Sequence, residues 1–232
     1  MKIAQFPYSA DNLGYVIYGD HSALAIDGGA VDAILEFVQR HQLQLTHVAH
    51  THDHPDHTCG TADLRKHSGA IFLDGAYWLH HSELSIDGEP VRVYATPGHT
   101  MDSVTFHAAG SLITGDTLFN GTVGNCFSGD LNAFYTSIKF LMTFPPDTIV
   151  YAGHNYQEYA MSFARLLESD NPYIAAYLNS HNPSHVHSSL KDEMNVNPYL
   201  RFNDGRFMDV LKQKGLPVST EYERWCSIMN LG

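Results

Sequence analysis

Thr51-His52-Asp53-His54-Pro55-Asp56-His57 is the stretch whose reading decides the fold. Three imidazoles and two carboxylates crowd into seven positions. Such a cluster carries lone-pair and charge conflict unless it is fully solvated or holds a metal, and imidazole nitrogen and carboxylate oxygen are ligands that Zn²⁺, Mn²⁺ and Fe accept. The spacing excludes a helical i, i+4 metal pair, because His52 and His54 stand two apart. Pro55 also removes a backbone donor inside the run. The segment therefore reads as a loop at the end of a strand, Leu45–His50, a usual place for a catalytic site.

Working outward, three more strand ends present a His or an Asp beside a turn glycine. Thr96-Pro-Gly-His99-Thr follows a strand ending at Tyr94. Thr114-Gly-Asp116-Thr follows one at Leu112, and Ala152-Gly-His154-Asn follows one at Val150. Seven candidate ligands exceed what one tetrahedral zinc uses, and they suit two cations sharing a carboxylate. His52, His54 and His99 would hold one ion. Asp56, His57 and His154 would hold the other, with Asp116 between them. Two such ions about 3.5–4 Å apart lower the pKa of a shared water toward ~7, which yields a hydroxide nucleophile. Asp56 and Asp116 are the chain's catalytic carboxylates on this reading.

Composition narrows the alternatives. The chain has 232 residues, 44% of them hydrophobic, enough for one large domain or a domain with an appendage. Its formal net charge of −12 and the lack of a Lys/Arg cluster speak against a nucleic-acid partner. No apolar run approaches the roughly 18–20 residues of a membrane span, and the start lacks a secretory signal's apolar core. The 3 cysteines, Cys59, Cys126 and Cys226, are scattered and odd in number, which points to a reducing cytoplasm.

Residues 1–155 alternate strand-like and helix-like segments, with helices expected at Val31–Arg40, Thr61–His67 and Leu131–Met142. From 156 on, only helices are expected, at 156–168, 172–179, 209–214 and 219–229, around a polar His-bearing loop at 180–189. The division is an α/β body over 1–155 and a helical subdomain over 156–232. Asp27 in Ile-Asp-Gly-Gly reads first as a turn residue, with a contact to a ligand His as the alternative. His80, His81, His181, His185 and His187 read as surface-loop residues, since no carboxylate or Cys partners them at a set spacing. Phe119, Phe127 and Tyr156 are candidates for core or for pocket wall.

The run at 52–57 with His99, Asp116 and His154 resembles the metallo-β-lactamase superfamily. Thr96–Thr100, Gly115–Phe119, Gly153–Tyr156 and Asn197–Arg201 are similar to its glyoxalase II (hydroxyacylglutathione hydrolase) branch. The resemblance implies an α/β (α+β) four-layered αββα sandwich with a helical C-terminal subdomain. It also implies two divalent metal ions (Zn, Fe or Mn) and hydrolysis of a small-molecule thioester such as S-2-hydroxyacylglutathione by metal-activated hydroxide. A thiolate leaves without a strong general acid, since its pKa is near ~8.5.

Tyr156 matches a glutathione-contacting Tyr of that branch, and Arg224 lies in the region of its basic final helix. The branch also places a Lys and a Tyr nine and eleven residues beyond the bridging Asp; this chain has Asn125 and Phe127 there. The hydrolytic core therefore reads as intact and the substrate grip as altered. The alternatives are a metallohydrolase of another acyl or lactone substrate, or an iron-dependent persulfide dioxygenase. The latter usually carries an Arg-Thr-Asp-Phe stretch that is missing here. Oligomeric state is left open by the sequence.

Overall fold

Strand β2 (Asn12–Tyr18) shows why layers form. Side chains alternate across a strand, and here both sets are buried. Tyr15 and Ile17 pack against a second sheet, whereas Val16 packs with helices on the other side. A strand covered on both faces belongs inside a sandwich. The computed structural model describes residues 1–231.

The first sheet runs in the order β1 (Lys2–Tyr8), β2, β3 (Ser22–Ile26), β4 (Gln44–Ala49), β5 (Ile71–Leu73). The second comprises β6 (Glu83–Ile86), β7 (Glu89–Ala95), β8 (Val104–Ala108), β9 (Ser111–Gly115), β10 (Ile149–Ala152) and β11 (Ser188–Ser189), each beside the next. Within them β3–β4, β4–β5 and β9–β10 are parallel; the other pairs are antiparallel. Leu24 and Ile26 of the first sheet meet Val91, Val93, Phe106 and Ile113 of the second in a central apolar layer.

Helices close both outer faces. Ile34 and Val38 of α1 (Val31–Arg40) cover the first sheet together with Leu64, which lies beyond the one-turn α2 (Pro55–Thr58), in α3 (Thr61–Ser68). A short α4 (Gly75–Trp78) follows. On the other side, Phe134, Ile138 and Leu141 of α5 (Leu131–Leu141) pack on Leu112 and Val150. The result is an αββα sandwich. After it come α6 (Gln157–Leu167), α7 (Tyr173–Asn179), α8 (Leu190–Val196), α9 (Gly205–Gln213) and α10 (Glu221–Met229). Phe207, Leu211, Trp225 and Ile228 of this helical part join the same apolar cluster as α5 and the second sheet. No helix among the described residues is long and apolar enough to cross a membrane.

Several short elements differ from the sequence expectation. The ligand run is not loop throughout: His54 caps α2, and the amides of His57 and Thr58 reach its carbonyl at 3.0 and 3.1 Å. Pro55 fits the first helical position, where its missing N–H is not needed. A strand does follow residue 155, since Ser188–Ser189 pairs antiparallel with β10. Helix α8 starts where a polar loop was expected to end: Ser189 and Asp192 cap it reciprocally. Strand β1 was hidden because it is a half-exposed edge, where Pro7 is tolerated.

Candidate metal centre

Each residue of the constellation stands just past a strand. Asp27 follows β3, the 51–57 run follows β4, His99 follows β7, Asp116 follows β9 and His154 follows β10. Because β3–β4 and β9–β10 are parallel pairs, their ends share one rim in each sheet. The two rims are stitched together there. The amide of Leu13 donates to the Gly153 carbonyl at 2.8 Å, that of Val104 to Thr51 at 2.8 Å, and that of Asn155 to Asp11 at 2.9 Å.

The structure brings all seven sequence-derived candidates together in two groups: His52, His54, His99 and Asp116, and Asp56, His57 and His154. Within each group the possible ligand atoms lie within 4.8 Å of one another. His54 Nδ1 is 2.9 Å from His52 Nε2 and 3.1 Å from His99 Nε2. His57 Nε2 and His154 Nε2 are 3.2 Å apart, and Asp56 Oδ2 is 3.7 and 3.4 Å from them. Ligands at 2.0–2.1 Å around a tetrahedral ion would be roughly 3.4 Å apart, so these separations suit a cation in each group. His54 presents Nδ1 and the other four imidazoles present Nε2, a distinction that spacing does not carry.

The outward ring nitrogens explain those orientations. His57 Nδ1 donates to Asp27 Oδ2 at 2.9 Å, and His154 Nδ1 to Asp11 Oδ1 at 2.9 Å. His99 Nδ1 donates to the Asn125 carbonyl at 2.8 Å. Thr51 Oγ1 donates to Asp27 Oδ2 at 2.7 Å and faces His52 Nδ1 at 3.1 Å. With the outer nitrogen carrying the proton, the inner one keeps a lone pair. Asn12 Nδ2 donates to Asp56 Oδ2 at 2.9 Å and turns that carboxylate toward the cluster.

The electrostatics fit bound positive charge. Burial works against ionised Asp116, yet the adjacent imidazoles of His154 and His57 outweigh it and hold the carboxyl far below the usual range. Burial likewise opposes a charged His57, but Asp27 and Asp116 push it up to about 11. His52 is pushed down to about 4, first by burial and then by His57. Asp27 is completely buried and still held low, because His57 outweighs the desolvation. Asp116 Oδ1 is buried without a hydrogen-bond partner, and the Nε2 atoms of His57 and His154 face each other at 3.2 Å. Cations relieve both conditions. Close packing requires Gly153, where a Cβ would lie 2.2 Å from Asp116 Oδ1.

A cavity of about 200 Å³ adjoins the centre. Asn125 and Tyr156 line it with Phe119, Tyr159, Phe163 and Tyr199. Tyr156 stacks on His154 with ring centroids 5.1 Å apart and planes 3° apart. Phe127 does not line this cavity; its exposed ring stands against His54 and His99, at 5.6 and 5.3 Å. Arg224 is not brought there either. Its guanidinium donates to the Val218 carbonyl at 2.9 Å and to Asn203 Oδ1 at 2.6 Å.

Asp27 is more than a turn residue, although its φ of 51° also makes it one. Asp11, Asn12 and Glu193 escaped the sequence reading. Asp11-Asn12 offers only the weak signal of a polar pair abutting a strand. Glu193, on α8, is fully buried and accepts from Gly121 N at 2.8 Å, Tyr177 at 2.6 Å, Ser188 at 2.7 Å and Asn197 at 2.9 Å. It thereby anchors the chain that leads into the cavity wall.

Residues 79–154 match the family model described as Metallo-beta-lactamase superfamily. The hydroxyacylglutathione hydrolase of Chromohalobacter salexigens is 30% identical over 93% of this chain and 92% of its own length. That of Pseudoalteromonas translucida is 30% identical over 88% and 85%. The crystal structure of ETHE1 from Myxococcus xanthus is similar with a TM-score of 0.69 at 26% identity, covering 98% of this chain and 100% of that one. With the αββα layers and the two donor groups at their rim, these similarities establish that the chain belongs to the metallo-β-lactamase superfamily, in its hydroxyacylglutathione hydrolase (glyoxalase II) family of metal-dependent hydrolases.

Proposed function

We propose that this enzyme hydrolyses a small acyl thioester at a dinuclear metal site. His52, His54 and His99 would hold one cation, Asp56, His57 and His154 the other, with Asp116 shared. One observation carries the reading. Asp116 lies among imidazoles of both groups: Oδ2 is 3.8, 3.4 and 3.5 Å from Nε2 of His52, His99 and His154, and Oδ1 is 3.4 Å from Nε2 of His57. The donor set accommodates Zn, Fe or Mn.

When bound, two such cations supply Lewis acidity and a water that deprotonates near neutral pH. The chain's own residues do the rest. Asp27, Asp11 and the Asn125 carbonyl keep three imidazoles aimed inward, and Asp56 and Asp116 balance the positive charge. Phe127 borders the site on the side of His54 and His99, where the acyl group would lie. The cavity with Asn125 and Tyr156, walled in part by the helical region from 156 on, would receive the thiol side. No protonating side chain is assigned to the leaving group, because a thiolate departs at its own pKa of about 8.5. The free cysteines fit a reducing cytoplasm.

The test is turnover of a thioester panel that includes S-lactoylglutathione, on protein of measured metal content. Hydrolysis by the wild type, a loss of about 10³-fold or more in Asp116→Ala and His57→Ala, and reduced metal content in both variants are expected. Wild-type turnover in His57→Ala would refute the dinuclear assignment. Steady oxygen uptake with glutathione persulfide, in place of thioester cleavage, would replace the hydrolase with an oxidoreductase.

A further inference from the structure

The thiol side of the substrate can be specified from the cavity beside His99 and His154. Its walls carry five aromatic rings, those of Phe119, Tyr156, Tyr159, Phe163 and Tyr199, together with the Asn125 amide. Among the described lining residues there is no Lys, Arg or His. We propose that this cavity selects a thioester whose thiol portion is uncharged and apolar or ring-bearing, and disfavours a thiol that carries carboxylates, as glutathione does. The inference rests on the thioester reading above and names which thioester.

Several cations of the chain's second half are otherwise engaged. Arg201 is buried and paired with Glu168 and Asp204, Arg206 pairs with Asp170, and Lys139 pairs with Glu221. Arg224 is held by Val218 and Asn203. Arg165 shares α6 with Tyr159 and Phe163, but at about 100° per residue it falls on the opposite flank of that helix. Acidic groups stand at the centre itself. Asp56 is partly exposed beside His154, and so is Asp11. A dicarboxylate seated here would lose hydration without gaining a charge-assisted bond.

Tyr159 is 77% exposed in the cavity lining. A large ring left in water there, beside four further aromatic walls, favours a guest that covers it. The backbone carbonyl of Asn125 is bonded to His99, and its side-chain amide is the lining group that would meet a neutral polar group of the guest.

The experiment compares the metal-loaded chain on two lactoyl thioesters of alkyl thiols, S-lactoylglutathione and S-lactoyl-2-phenylethanethiol. The phenylethyl ester is expected to show a KM at least tenfold lower, with kcat within a few-fold. Tyr159→Ala should raise KM for the phenylethyl ester, whereas Asn125→Lys should lower KM for the glutathione ester alone. An equal or lower KM for S-lactoylglutathione in the wild type would overturn the proposal. Calorimetric titration with S-methylglutathione and methyl 2-phenylethyl sulfide decides the cavity preference without turnover: tighter binding of the neutral sulfide supports it, and equal or weaker binding overturns it. Loss of turnover on both esters would sink the thioester reading separately.

Discussion

Asp27 holds the most leverage of any single side chain outside the donor groups. It is buried, it accepts from Thr51 at both the amide and the hydroxyl, and it fixes the ring of His57. Replacing it with Asn keeps the shape and removes the charge. Asp27→Asn is expected to weaken metal retention about 10–100-fold, read by competition with a chelator, while the folded circular dichroism spectrum persists. Unchanged retention would show that His57 needs no anionic support. At this scale the sequence spoke clearly for the seven donor residues, because four motifs repeat one pattern of strand, turn and imidazole or acid. It was nearly silent on Asp11 and Asn12. Their role depends on which strand of the other sheet they meet, and no local spacing encodes that.

Among the elements, α8 links the helical region to the cavity. Glu193 gathers donors from Gly121, Tyr177, Ser188 and Asn197, and Asn197 Nδ2 also reaches the Thr122 carbonyl at 3.0 Å. Burial pushes the Glu193 carboxyl up, and these donors pull it back. Glu193→Ala leaves several buried donors unpaired at about 1–3 kcal/mol each. A loss of roughly 3 kcal/mol or more in urea unfolding is expected, with a raised KM because the cavity wall loosens. A loss under about 1 kcal/mol would mean that water replaces the carboxylate. Central strands and long amphipathic helices were legible here, since periodicity marks them; α1 spans the expected Val31–Arg40. Short elements were not. β11 has 2 residues and exists only because β10 lies beside it.

At the level of the whole molecule, the donor groups straddle the sandwich. His52, His54, Asp56 and His57 come from the first sheet, whereas His99, Asp116 and His154 come from the second. A bound ion therefore links the sheets, and its binding free energy adds to their association. At a thousand-fold excess over Kd that is about 4 kcal/mol, which for a chain of this size raises Tm by roughly 8–16 °C. Chelator-treated protein should melt lower by that margin in scanning calorimetry, and reloading should restore it. An identical Tm would mean that the centre forms only at the cost of other contacts. The layers themselves were foreseeable from family likeness. The sharing of one apolar cluster between α5 and the C-terminal helices was not, because it joins residues far apart in the chain.

Tyr156 belongs to two neighbours at once, as a plate lying flat on His154 and as a panel of the adjoining cavity. Occupants on its two sides obey reciprocity. By whatever factor a seated metal alters the affinity of an organic guest, that guest alters the dissociation constant of the metal equally, so a tight inhibitor that favours the loaded form would also tighten the hold on its ions.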